Sequence, residues 1–543
     1  MKRTLISAAC LFVAASAFAQ NLNPTVEVTN AYAREASGIE KPSQLMEVPD
    51  SVLRFNLDFE YAVNETPYRG AYEFKPYLVQ LRPQARPAKE GTLYLRAGAG
   101  YGFHPELAVV YTPVKTKKFH LNLFGDHMSY IGPYHGIALN GEGLYTSDGT
   151  SWKGKDLRST VGADALLNWR SGTLKADLFY RNYSMEKPTC ETMTHRVQGS
   201  VRVQNTPGTT KVDYDVNTRL SYLQDDAGYF EFHTMSAGML GARVFGKYFR
   251  TTLQVETVSQ MVDNAALFHL TLPRYSYNGK RFSFMGGVKL AYMLRSSKTF
   301  IPTDAWYIFP DVQASLVIAP EKLVMYAAVT GGNEFATWES FLEQNSFIDE
   351  FTWRTDVKTT YVQAALGLRG NIASRFSYDL AGGYSWMGNM WLWGVNAATG
   401  VPAVCYGGPI HTTFASVTLG WNNHFLDIKG NLKYVYTINK PTVRTEGVIP
   451  FLPQEFKGEG HILYNWGERI KAGVTAEGRS ALRSPAGNQI PGYVDIGLHG
   501  KFQMTPSVGL WAKVGNLLNQ PVQRVPFYAE KGVYFTIGAS LNL

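Results

Sequence analysis

The last twelve residues constrain the fold more than any other stretch. Gly532–Leu543 reads G-V-Y-F-T-I-G-A-S-L-N-L. Val533, Phe535, Ile537, Ala539, Leu541 and Leu543 are apolar; Gly532, Tyr534, Thr536, Gly538, Ser540 and Asn542 are small, hydroxylated or amide-bearing. Side chains of a strand alternate between faces, so this stretch reads as a strand with one apolar and one polar face. A terminal strand frays unless something ties it down. The simplest tie is pairing with the first strand of a closed barrel, which leaves no edge. If the apolar face points outward all the way round, such a barrel sits in lipid.

The same period of two recurs from Thr92 onward. Val212, Tyr214, Val216, Thr218, Leu220 and Tyr222 form one row; Lys211, Asp213, Asp215, Asn217, Arg219 and Ser221 form the other. The stretches Leu426–Tyr436 and Val494–Phe502 repeat it. Tight turns are expected at Arg170–Gly172, Pro207-Gly208, Gly246-Lys247, Asn278–Lys280, Ala319–Glu321, Asn371–Ala373, Gly467-Glu468 and Thr505–Ser507. Between them lie longer connections, such as Ile131–Leu157, Asn389–Ile410 and Thr437–Pro453. Short turns on one side and long loops on the other are the habit of outer-membrane barrels. The count of alternating segments gives about 22 strands. The expected fold class is all-β: a transmembrane antiparallel β-barrel with both ends in the periplasm. Asn333–Asn345 reads as a short helix in an outer loop, its aromatics packed on the rim.

The start of the chain says which membrane. Met1-Lys2-Arg3 is a basic n-region, Leu5–Ser16 an apolar run and Ala17-Phe18-Ala19 an A-x-A site. This predicts a signal peptide over residues 1–19. The run is too short for a membrane anchor. Residues 20–90 are rich in proline and form a separate short N-terminal segment, periplasmic or inserted in the lumen. One piece of it alternates, from Phe55 to Val63. Residues 91–543 are the barrel. Composition agrees: aromatics make up 13%, glycine contributes 51 residues and mean hydropathy is −0.16, which suits a wall that is half wet. Removing Lys2 and Arg3 lowers the net charge from +8 to about +6, too little to imply an acidic partner. No basic run suggests nucleic acid.

The C-terminal residues Val514-Gly515-Asn516-Leu517-Leu518-Asn519, with Gly532–Gly538 after them, resemble the end of TonB-dependent receptor barrels, especially those of gut and soil Bacteroidota. The Gly331–Asn345 loop is similar to loops of those barrels. The resemblance covers roughly Thr92–Leu543. It implies an outer-membrane receptor-like barrel in a Gram-negative bacterium, a large plug domain and a TonB box near the mature N-terminus. Thr25-Val26-Glu27-Val28-Thr29 has a passable TonB-box pattern. The chain departs from the family in having only residues 20–90 before the strands, so a full plug is missing, and in closing on Leu543 where an aromatic is common.

No enzyme motif is present: there is no G-x-S-x-G, H-E-x-x-H or P-loop, and no catalytic residue, metal site or cofactor is expected. Asp126, His127 and His135 lack metal-ligand spacing. Cys190 and Cys405 fall in expected outer loops, where an oxidising compartment allows a disulfide. The informative surface is the lumen. Lys175, Asp177, Arg202, Asp213, Asp215, Arg219, Asp427, Lys429, Lys433, Asp495 and Lys501 should line it. They form either a network of neutralising wall charges or a selective pathway. Beside an outer-membrane hydrolase, disfavoured for want of any nucleophile–base constellation, two functions stay open. One is solute transport through a receptor-like channel, alone or with a separate plug or lid, with TonB or a surface lipoprotein as partner. The other is a structural or assembly scaffold that binds a periplasmic or surface partner. Outer-membrane lipid is a partner in both.

Overall fold

The computed structural model describes residues 91–543 apart from short stretches at 187–190, 207–210, 245–246, 262–263, 296–303, 346–347, 349–355, 374, 398–401, 444–446, 454, 468 and 525–527. The signal peptide, the segment 20–90, Thr25–Thr29 and Cys190 lie outside the described residues.

One antiparallel sheet of 25 strands contains three short loop strands, Pro402–Gly408, Thr442–Val443 and Val448–Pro450; the remaining 22 form a closed ring. The first strand, Leu93–Gly100, pairs with the last, Tyr534–Asn542, from Tyr94↔Asn542 to Gly100↔Thr536. The C-terminal alternation sorts as its sequence demands. Val533, Phe535 and Ile537 are exposed, while Tyr534, Thr536 and Ser540 are buried. The same exposed apolar row continues round the ring through Leu178, Val201, Val216, Leu240, Leu253 and Leu366. A chain whose apolar side chains face out and whose polar ones face in is built for lipid outside.

All the expected turns for which residues are described fall on one side of the ring, the side that also holds Leu93 and Leu543. Gly467 there takes a φ of 55°, as a tight turn of this kind requires. The opposite side differs from expectation. Ile131–Leu157 and Asn389–Ile410 are largely strand, while Thr437–Pro453 carries only the short strands Thr442–Val443 and Val448–Pro450. Phe119–Leu139 and Tyr145–Trp169 continue as a paired ribbon well past bilayer height, turning at 140–144. Asn140 closes that turn, its Oδ1 accepting the N–H groups of Glu142 and Leu144, both at 2.9 Å. Phe376–Asn396 likewise runs on to pair with Pro402–Gly408 and Val448–Pro450. The reason is that each backbone N–H and C=O still needs a partner, and a ladder supplies one without any apolar period.

Lipid exposure is testable at Val216, the fifth residue of the strand Val212–Asp225, 46% exposed on the apolar row. Val216→Arg should cost about 2–4 kcal/mol in folding into bilayers, and Asn217→Arg close to nothing, because charge is penalised only on the lipid face. Equal losses for the two variants in urea titrations from lipid vesicles would invert the faces.

Candidate functional site at the outer mouth

The residues 337–355 connect the strands Leu323–Ala336 and Asp356–Ile372 and carry helix α1, Trp338–Gln344. Its start is written locally. Thr337 has extended backbone geometry, and its hydroxyl accepts the N–H of Ser340 at 3.2 Å. Asn345 ends it, its N–H donating to the Phe341 carbonyl at 2.8 Å. Trp338, Phe341 and Leu342 form one stripe of the helix at i, i+3, i+4 spacing; Glu339 and Glu343 form another at i, i+4.

The apolar stripe packs at the outer ends of wall strands. Phe341 is 0% exposed, and Trp338 and Leu342 are buried. They pack with Tyr183, Met185 and Leu223 of the strands Gly172–Glu186 and Val212–Asp225, and with Val404, Tyr406, Trp391 and Trp393 of the hairpin built on Pro402–Gly408. The walls touched by Tyr183 and Leu223 stand six to eight strands round the ring from the strand that precedes the helix. The helix therefore reaches across the lumen.

Charge fixes it there. Arg196 and Arg219 both donate to Glu339 Oε1. Glu343 Oε1 accepts from Arg196 Nη1 at 2.7 Å and from Arg181 Nη1 at 3.3 Å. Glu231 accepts the N–H of Trp338 at 2.8 Å and that of Glu339 at 3.4 Å, and Gln260 donates to it at 2.8 Å. Burial opposes the charged form of Glu343, but Arg196 and Arg181 outweigh it and hold the carboxyl below its ordinary range.

A second cluster lies under the last outer loop, 516–533. Arg524 donates through Nη2 to Asp495 at 3.0 Å, lies 3.1 Å from Glu477 through the same nitrogen, and pairs with Glu530 through Nε at 3.1 Å. The same loop reaches the long ribbon: Lys531 bridges to Tyr134, and Gln523 Nε2 donates to the Tyr145 carbonyl at 2.8 Å. Above it Tyr145, Val395, Phe451 and Ile490, from four separate outer segments, form one apolar cluster. The outer loops are knitted to one another.

The eleven residues expected in the lumen lie on strand positions that alternate with the exposed apolar row. The structure does not gather them into one site. Arg202 and Asp215 form a two-pronged pair at 2.9 and 2.6 Å. Asp213 accepts from Tyr248 Oη at 2.9 Å and Asn205 Nδ2 at 3.1 Å, and Asp177 from Ser200. Lys175, Asp427, Lys433 and Lys501 are half-buried, and Lys429 is exposed. Only Arg219 and Asp495 belong to the loop-held clusters. Arg181, Arg196, Glu231, Glu339, Glu343, Glu477, Arg524 and Glu530 were not anticipated. The i, i+4 carboxylates of the one helical stretch among the described residues were the available signal for two of them. His127 Nδ1 shares a hydrogen bond with Ser159 at 2.8 Å, and among the described residues no cluster of metal ligands occurs. Cys405 is buried and free, and burial pushes its thiol up to about 12.

No protein-family model matches the chain, and neither does any curated protein. Solved structures do. A mutant of the ferric enterobactin receptor of Pseudomonas aeruginosa is 11% identical with a TM-score of 0.58, over 84% of this chain and 80% of that one. The ferric-catecholate import receptor Fiu of Escherichia coli K12, in a closed form, is 9% identical with a TM-score of 0.60, over 84% and 82%. The copper transporter OprC is 12% identical with a TM-score of 0.58, over 84% and 82%. At such identities the likeness is one of fold, and the chain shares the closed, all-antiparallel barrel of these receptors and transporters.

Proposed function

We propose that the chain is an outer-membrane solute transporter or receptor-like channel, not an enzyme, whose pathway is closed on the outer side by its own loops. The observation that carries this reading is helix α1, held across the lumen by Glu339 and Glu343 on arginines of three strands. A barrel of this width is not filled by wall side chains alone. The solved structures of similar fold are receptors and transporters whose titles name ferric enterobactin, ferric catecholate and copper, and this range of cargo leaves the solute here unassigned by fold. Residues 20–90 are read as a periplasmic or lumen-inserted segment, with Thr25–Thr29 as the place where TonB would engage if uptake is energised. The lumen-lining role of the eleven wall residues belongs to the same proposal.

Full-length protein in planar bilayers tests it. Wild type should conduct poorly, and Glu339→Gln with Glu343→Gln should conduct several-fold better. Because the Glu343 pKa is lowered, its ion pairs support the closed state above the ordinary carboxylate range. That support is lost only as pH falls through the lowered value, so wild-type conductance should stay flat near neutrality. Equal, low conductance of both proteins would favour the scaffold reading, in which the barrel is an anchor and the knitted loops are a docking platform.

A further inference from the structure

Arg181 and Arg196 are direct partners across adjacent strands. Like charges placed opposite each other destabilise a sheet, so this pair needs a reason. Arg219 is on the next strand round. All three guanidinium groups converge on α1, where they hold the helix carboxylates Glu339 and Glu343, and Glu231 of the wall acts on Arg196 as well.

The arginines are placed by the wall as well as by the helix. The Arg181 guanidinium lies 5.4 Å from the Phe179 ring centre and 5.9 Å from that of Tyr183, and Arg196 lies 5.3 Å from Phe179. Arg181 Nε also donates to Thr160 Oγ1 at 2.9 Å, and Arg196 donates to Gln198. Stacked, tethered guanidinium forks are pre-organised for carboxylate or phosphate oxygens. The helix satisfies them incompletely: Arg196 Nε and Glu339 Oε2 are both buried without a hydrogen-bond partner. Arg196 itself is 3% exposed. Guanidinium groups fixed by the wall, with a buried donor of Arg196 left over, can hold more than the helix supplies.

We propose that Arg181, Arg196 and Arg219 form a binding site for a small solute carrying two anionic groups, and that the carboxylates of α1 occupy this site in the closed state. The spacing of those carboxylates sets the ligand. Side chains at i and i+4 stand about 5–6 Å apart at Cβ, so the two anionic groups of the solute are separated by a short aliphatic or comparable spacer. The solute displaces Glu339 and Glu343 from the arginines, and release of the helix is coupled to its arrival. A solute with one anionic group leaves at least one arginine pair unscreened and does not compete.

The inference rests on the reading of the lumen as a solute pathway. Its test reads binding alone, so it fails or stands separately. Purified full-length protein in detergent is titrated calorimetrically with glutarate, and with acetate as the single-carboxylate comparison. Glu339→Gln with Glu343→Gln should bind glutarate at least tenfold more tightly than wild type, and at least tenfold more tightly than it binds acetate. Adding Arg196→Gln and Arg219→Gln should abolish that gain. Mobility on unheated gels checks that each barrel is folded. If the double glutamine variant does not fold, Glu343→Gln with and without Arg196→Gln makes the same comparison. Glutarate affinity that is unchanged when the glutamates are neutralised, or equal affinity for acetate, would overturn the proposal. Tight glutarate binding by a variant that never conducts would instead remove the transport reading and leave this site in place.

Discussion

Arg524→Leu is expected to free the last outer loop, at a cost of about 3–5 kcal/mol to its docked state, the range for breaking a buried ion pair from one side. Arg524 is 8% exposed and is close to three carboxylates, Glu477, Asp495 and Glu530. Glu477 has other help, since Arg479 Nε and Tyr493 Oη both donate to it at 2.9 Å. Removing Arg524 thus leaves a net excess of buried negative charge. The barrel does not have to unfold to relieve it. Two of the carboxylates are on wall strands, while Arg524 and Glu530 are on the loop, so the cheaper response is for the loop to lift and let water in. The readout is therefore local. The Glu530 N–H, bonded to the Val522 carbonyl at 2.8 Å, should exchange with deuterium roughly 100- to 3000-fold faster at the usual 1.4 kcal/mol per tenfold. Amides of the closing ladder, such as Ala97↔Ala539, should not change. Arg524→Lys keeps the charge but not the planar fork and should fall between. Unchanged exchange at Glu530 in the leucine variant would mean that the ion pairs do not hold the loop.

The barrel was legible because lipid imposes a period on every strand. In Val212–Asp225 that period separates Val216, Leu220 and Tyr222 from Asp213, Asp215 and Arg219 without knowledge of any neighbour. Above the bilayer the constraint is gone. The ribbon Ile131–Leu157 mixes glycine, polar and apolar residues without a sustained alternation, so it reads as loop although it is paired throughout most of its length. The helix expected over Asn333–Asn345 was legible in part: it is confined to Trp338–Gln344, and Asn333–Ala336 belong to the preceding strand, where the ladder with Asp356–Ile372 continues. Its location was not, because its partners are remote in sequence: Arg196 and Glu339 stand 143 positions apart. The opposition of Arg181 and Arg196 depends on the register of their hairpin, which composition does not specify. Arg524 was hidden for a related reason. It sits between Pro521 and Pro526, a stretch with the marks of a plain connection.

Phe341→Ala should release α1 while leaving the barrel intact, and simple magnitudes say why one side chain is enough. Burying Trp338, Phe341 and Leu342 is worth roughly 1.5–3 kcal/mol each, together about 5–9 kcal/mol. Ordering seven helical residues costs roughly 1–2 kcal/mol each, about 7–14 kcal/mol. Apolar burial alone does not dock this helix. The cap at Thr337, the Glu231 bonds and the arginine pairs supply the remainder, so the docked state has little in reserve. Phe341 is completely buried, with the rings of Trp391 and Trp393 edge-on at 5.2 and 5.7 Å. Truncating such a side chain typically costs about 3–5 kcal/mol through lost burial and the cavity left behind. The 22-strand ladder does not share that cost, because none of its hydrogen bonds passes through the helix. The variant should keep the gel mobility of a folded barrel and conduct several-fold better than wild type, as the glutamine pair should. Conductance at the wild-type level from a folded Phe341→Ala barrel would place the closure elsewhere. The candidates are then the apolar knot of Tyr145, Val395, Phe451 and Ile490, and the segment 20–90. Deleting Asn21–Glu90 with the signal peptide kept separates those two: a rise in conductance would assign the closure to the segment, and no rise would assign it to the knot.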